Sequence, residues 1–387
     1  MPVLMRLVFL TIVSVVSYGL HLFLFSRVAQ MLSDAAVMLP QSILETASGK
    51  LLVLELTFSV LTLSYFTIGT MLHPRQFRWL GWLSGAWMGA LTLLCLWGGV
   101  HLVAALGAEL IGYELPPLTG VIGLAVTLMC WGWGLANVLR PPALKRVSVP
   151  LTKLPEALHG LRIAQLSDIH VGPTVGRRFM DDLVARTNAL SPDMIVITGD
   201  LVDGSVAMLG DDVAPIFDLS APLGVYFITG NHELISGVDP WIHYIREGGI
   251  TVLENEARCL RHNGAHLNLV GVEDWDSERF HRQRHPNLSE ALVGVDTEHT
   301  TILLAHQPKA AREASLRGVD LQLSGHTHGG QMAPLTVLIY LDQPYRSGLY
   351  TIGPTQLYVS EGTGYWGPPI RLGTRSELTL LTLERAP

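Results

Sequence analysis

The charges of this chain are placed so unevenly that no single fold accommodates them. Of its 26 Lys and Arg and 33 Asp and Glu, only ten fall in residues 1–139. Four apolar stretches fill that first part, roughly 7–26, 51–72, 80–106 and 118–139. Each is near or above the ~20 residues that an α-helix needs to cross a ~30 Å hydrocarbon core. Trp79, Trp82, Trp97, Trp131 and Trp133 sit in or at the ends of the last two, as aromatic residues do at membrane interfaces. A buried soluble bundle would need a polar face that these stretches lack. Residues 1–139 therefore read as an all-α transmembrane anchor of about four helices. The first stretch reads as a retained anchor, since no small-x-small cleavage site comes after it.

Basic residues orient the anchor. Arg6, Arg75, Arg78, Arg140, Lys145, Arg146 and Lys153 would lie on one side, and Arg27 and Lys50 on the other. The positive-inside rule then puts both termini in the cytoplasm. The expectation is a multi-pass protein of the inner (plasma) membrane with its soluble part cytoplasmic. His21, Glu55 and His101 share no spacing and do not outline a transport path. Cys95 and Cys130 fall in the spans and Cys259 stands alone, so no disulfide framework is implied. A net charge of −7 argues against a nucleic-acid partner held by bulk charge.

Arg140-Pro141-Pro142 ends the fourth stretch. Residues 140–160 read as a linker and 161–387 as a folded domain. Short apolar runs recur there at Arg162–Ser167, Met194–Thr198, Val225–Thr229, Thr301–Ala305 and Leu321–Ser324, with a helical period over Phe179–Leu190. Continuous apolar strands separated by helices imply an α/β fold with a buried sheet.

The chemistry lies in the residues at the end of each run. The five successors are Ser167-Asp168-Ile169-His170, Gly199-Asp200-Leu201-Val202-Asp203, Gly230-Asn231-His232-Glu233, His306-Gln307-Pro308 and Gly325-His326-Thr327-His328-Gly329-Gly330. Every strand thus delivers a metal-capable side chain at its C-terminal end, where α/β sheets gather their ligands. Carboxylate, imidazole and carboxamide without thiolate favour Mn²⁺, Fe or catalytic Zn²⁺ over a structural zinc. There are more such groups than one ion can use. Two divalent ions ~4 Å apart would use them, activating a bridging hydroxide and clamping a phosphoryl group.

The ordered set Asp168-x-His170, Gly199-Asp200-x-x-Asp203, Gly230-Asn231-His232-Glu233, His306 and Gly325-His326-x-His328 resembles the calcineurin-like metallophosphoesterase family. Leu323–Gln331, with Gly362-Thr363-Gly364 downstream, is similar to its membrane-associated bacterial branch. The resemblance implies a C-terminal α/β sandwich of two mixed sheets flanked by helices. It implies that Asp168, His170 and His328 hold a first metal, that Asp200 bridges both, and that Asn231, His306 and His326 complete the second site. His232 would contact the substrate phosphate and act as general acid, with Asp203 orienting it or another site histidine. Mn²⁺ is the first choice of ion, with Fe, Zn²⁺ or Mg²⁺ as alternatives.

The expected activity is hydrolysis of a phosphodiester, phosphomonoester or pyrophosphate, on a lipid-linked or a soluble substrate. The competing reading is a non-catalytic metal-binding or interaction module on the same fold. Glu233 reads as a supporting or surface acid, Glu273-Asp274-Trp275-Asp276 as a loop near the cleft, and Met332–Tyr340 as a buried strand in preference to an apolar wall facing lipid. Arg177-Arg178 reads as the solvated start of a helix in preference to a phosphate contact, and Gly362–Pro369 as a run closing one side of the cleft.

Overall fold

The computed structural model describes residues 11–13, 15, 16, 18–24, 26, 27, 57, 59–68, 72–281 and 283–386. It divides into two compact units, 1–136 with 367–370, and 137–366 with 371–387.

In the first unit, two helices are long and apolar enough to cross a membrane. Helix α1 is Pro74–Leu110, with proline at the position where a missing N–H costs nothing. Helix α2 is Pro117–Leu139. Of the four expected spans, the described residues thus give two of full length. Those at 7–26 and 51–72 lie partly outside the described residues. The indole Nε1–H of Trp131 donates to Ala86 O at 2.9 Å, tying α2 to α1. Apolar side chains such as Val103, Met129 and Trp133 are more than half exposed.

The second unit holds twelve described strands: β1 Ala143–Leu151, β2 Arg162–Leu166, β3 Met194–Thr198, β4 Val225–Ile228, β5 Thr251–Val252, β6 Glu256–His262, β7 Ala265–Gly271, β8 Thr300–Leu304, β9 Leu321–Ser324, β10 Gly348–Ile352, β11 Thr355–Val359 and β12 Glu377–Arg385. They form two mixed six-stranded sheets, ordered β1-β12-β2-β3-β4-β5 and β10-β11-β9-β8-β7-β6. β1 lies within the stretch read as a linker. It pairs parallel to β12 along its whole length, from Ala143 opposite Glu377 to Leu151 opposite Arg385.

The core lies between the sheets. Ile163, Val196 and Ile228 from one pack with Leu269, Ile302 and Leu323 from the other, all essentially inaccessible to solvent. These strands read as continuous apolar runs because both faces are covered. Helix α3, Arg177–Ala189, buries Met180, Leu183 and Val184 on its apolar side. The parallel neighbours β2, β3 and β4 in one sheet, and β8 and β9 in the other, end side by side. Their C-terminal turns therefore converge.

The expectation of a buried strand at Met332–Tyr340 is corrected. Leu335–Leu341 is a 3₁₀ helix, with Val337, Leu338, Tyr340 and Leu341 more than half exposed. Gly329 and Gly330 take left-handed backbone and Pro334 comes soon after, so the chain turns before any ladder can form.

Candidate metal centre

Five turns build the centre, and their backbone is unusual. Asp168, His170, Asp200, His326 and His328 all have φ between 51° and 69°, the left-handed region that non-glycine residues rarely enter. Such conformations cluster at functional sites, held by surrounding structure. Here the holding is close packing. A Cβ on Gly325 would lie 2.1 Å from Asp168 Oδ2, and one on Gly230 would lie 2.2 Å from Asp200 Oδ1. Only glycine lets these turns close onto the two carboxylates.

Three sets of donors lie close enough to share an ion: Asp168, His170 and His328; His170, Asp200 and His232; and Asp200, His306 and His326. Asp200 belongs to two of them. His170 Nε2 faces His328 Nε2 at 3.0 Å, and His328 Nε2 is 3.5 Å from Asp168 Oδ1. On the other side, His306 Nε2 is 3.1 Å from Asp200 Oδ2 and 3.2 Å from His326 Nδ1. Asn231 Oδ1 is 3.0 Å from that same His326 Nδ1. The sequence-selected residues are thus brought together, all nine within one cluster.

Hydrogen bonds outside the cluster fix the histidine tautomers. His306 Nδ1–H donates to Thr198 O at 2.7 Å, and His170 Nδ1–H donates to Asp203 Oδ1 at 2.9 Å. Each ring therefore turns its Nε2 inward, the arrangement that outer hydrogen-bond partners impose on metal-bound histidines. Burial works to lower the His306 imidazole, but the Asp200 carboxylate holds it well above its usual range. A buried, convergent set of carboxylate, imidazole and carboxamide donors fits divalent cations, so the residues present suit the metals implied by the sequence.

Asp203 Oδ1 also accepts from His232 Nδ1 at 2.7 Å. One carboxylate oxygen thus ties together His170 and His232, whose rings meet edge to face at 4.6 Å. Burial works to lower His232, but the carboxylates of Asp200 and Asp203 outweigh it and raise the imidazole to about 10. Burial would raise Asp203, yet His170 and His232 hold it below the usual carboxylate range. His326 is lowered to about 3 by burial and by neighbouring His306. His328 is lowered by burial, His170 and Arg371. Neutral His326 and His328 present lone pairs, whereas protonated His232 presents a proton.

Four residues that the motifs did not place in the centre support it. Buried Glu233 accepts backbone N–H groups from Gly230, Asp200, Leu201 and Val202, bracing the Asp200 turn. Fully buried Arg371 donates to the carbonyls of Glu361, Gly364 and His328 and lies 3.2 Å from His328 Nδ1. Gln307, next to His306, donates to buried Asp274 at 3.0 Å, which places that acid behind the His306 turn. Trp366 comes edge-on to His232 at 6.2 Å and exchanges two hydrogen bonds with Gln331. The sequence offered signals for Glu233, inside a motif, and for Trp366, within the Gly362–Pro369 run. Gln307 lay inside the His306-Gln307-Pro308 motif, but Arg371 had no signal, since a lone polar residue in a loop does not reveal its burial. Arg177 donates to Asp211 O at the start of α3.

Comparison with known proteins agrees with this geometry. A family model described as calcineurin-like phosphoesterase matches residues 161–330. A transmembrane protein with metallophosphoesterase domain from Bos taurus is 41% identical over 322 residues, covering 78% of this chain and 72% of that protein. One of the same description from Danio rerio is 41% identical over 69% of this chain and 63% of its own length. An uncharacterized metallophosphoesterase of Helicobacter pylori is 38% identical over 68% of this chain and 70% of its own.

Proposed function

Because the chain belongs to the calcineurin-like phosphoesterase family, we propose that it is a membrane-anchored phosphoester hydrolase working with two divalent ions. The observation that carries this reading is the clustering of buried carboxylate and imidazole donors in three overlapping sets, Asp168, His170 and His328, then His170, Asp200 and His232, then Asp200, His306 and His326. The ions would supply Lewis acidity toward phosphoryl oxygens and an activated water. Asp168, His170 and His328 would hold one and Asn231, His306 and His326 the other, with Asp200 between them.

The chain's own groups do the rest. Asp203 takes the Nδ1–H of His232 and leaves Nε2 to face the substrate. The raised imidazole stays protonated at neutral pH and can give its Nε2 proton to a departing alkoxide. The His232 backbone N–H donates to Asp200 Oδ1 at 2.8 Å, so the acid and the shared carboxylate move as one piece.

The two apolar helices support residence in a membrane, and the basic residues flanking them support a cytoplasmic catalytic domain. The deciding experiment is turnover of phosphodiesters, phosphomonoesters and pyrophosphates by detergent-solubilised full-length protein, metal-free and loaded with Mn²⁺, Fe²⁺ or Zn²⁺. Metal-dependent hydrolysis is expected. Protein that binds two ions and hydrolyses none of these would point to a non-catalytic module.

A further inference from the structure

The 3₁₀ helix Leu335–Leu341 is an anomaly for a water-facing surface. Val337 is 65%, Leu338 53%, Tyr340 59% and Leu341 84% exposed, a contiguous apolar tip on one short element. Exposed apolar clusters mark contact sites, whereas scattered single residues do not.

The tip is also firmly mounted. Buried Thr336 packs against Gly330, where a Cβ would come within 2.5 Å of its Cα. Past the tip, Gln343 Nε2 donates to Gln307 Oε1 at 3.0 Å, and its own Oε1 accepts from Lys309 N at 3.1 Å. Thr327 Oγ1 donates to Arg346 O. Both feet of the segment thus stand on the turns that carry His306, His326 and His328. The tip belongs to the rim of the candidate metal centre.

The chain's connectivity indicates the surface that covers it. Helix α2, long and apolar enough to cross a membrane, ends at Leu139, and the first strand of the catalytic unit begins at Ala143. Three residues span roughly 10 Å at most, so a membrane spanned by α2 would keep the start of this unit close to its lipid surface. Several bulky apolar side chains with a tyrosine among them suit the boundary between headgroups and acyl chains.

We propose that Leu335–Leu341 is an interfacial membrane contact, which seats the rim of the centre in the lipid surface and selects phosphoesters held at headgroup depth. The second half of this statement rests on the hydrolase reading above. The first does not.

The test uses full-length protein, with Cys95, Cys130 and Cys259 replaced by serine, in nanodiscs of phosphatidylcholine and phosphatidylglycerol. A nitroxide is placed at Leu338→Cys and, as control, at Leu316→Cys, equally apolar and more exposed at 84%. Relaxation by oxygen relative to a water-soluble nickel chelate should be at least fivefold higher at 338. Equal ratios at the two positions overturn the membrane contact. A Leu338→Glu/Leu341→Glu double variant is then compared with the parent on a dioleoylglycerol p-nitrophenyl phosphodiester in nanodiscs and on water-soluble bis-p-nitrophenyl phosphate. Loss of at least tenfold on the lipid, with the soluble rate kept, is expected. An equal effect on both overturns the substrate selection. A parent inactive on both, with the label still deep, sinks the hydrolase reading and leaves the membrane contact standing.

Discussion

At the scale of single residues, the centre is a problem of proton placement. Asp203 shares one oxygen between His170 and His232, so both rings must donate from Nδ1, and their Nε2 atoms are free for different work. His170 turns a lone pair inward and His232 a proton. If His232 is the acid, its removal costs most where the leaving group is worst. His232→Ala should lose ~10²–10⁴ in kcat on an alkyl phosphodiester, and far less on a nitrophenyl ester, whose leaving group departs unprotonated. A similar loss on both would argue against the role. The pH dependence has a definite sign. The proton is present below the His232 pKa and lost as pH rises through it, so the alkyl rate falls on the alkaline side and that limb disappears in His232→Ala. Glu233 is pushed up to about 7 by burial and by nearby Asp200, against the pull of its four amide donors. Glu233→Gln turns amide hydrogens toward those donors and should cost about 1–3 kcal/mol, read by thermal unfolding.

Individual elements explain why the site could be found in the sequence and much of its support could not. β2, β3, β4, β8 and β9 are buried on both faces and so are written as short apolar runs, each stopping where a ligand begins. That coincidence of hydropathy and chemistry made the cluster readable without a fold. The hairpin β6–β7 escaped because one strand is half exposed and polar in alternation, although Asn263-Gly264 between them is a turn signal. Leu335–Leu341 was misplaced for the opposite reason. Its composition is that of a buried strand, and exposure is decided by neighbours that a sequence window does not contain. Arg371 shows the same blindness at the site itself. The strand-end glycines yield a direct test. In Gly325→Ala the new methyl meets Ser167 Oγ and Asp168 Oδ2 at about 2 Å, displacing a candidate ligand while leaving β9 paired. Mn²⁺ affinity by calorimetry should fall at least tenfold with circular dichroism unchanged. Undiminished affinity would remove Asp168 from the ligand set.

For the molecule as a whole, five left-handed candidate ligand residues store cost in the metal-free state, of order 1–3 kcal/mol for each strained residue. Metal ions bound to the folded form should recover it. At a free metal concentration a hundredfold above the dissociation constant, one site adds about 2.7 kcal/mol of stability. Adding Mn²⁺ to chelator-treated protein should therefore raise its melting temperature by several degrees. No shift with any divalent ion would contradict a metal centre at these residues.

The position of β12 has a consequence in time. This strand, Glu377–Arg385, lies between β1 and β2, which are made more than two hundred residues earlier. A ribosome synthesising this chain releases α2 and β1 first, and the sheet stays open until residue 385 emerges. Until then the edges of β1 and β2 are unpaired and available to other strands. Closure of this sheet is thus scheduled after synthesis of the helices and of every other strand, and the nascent intermediate is the stage at which this protein most needs protection from aggregation.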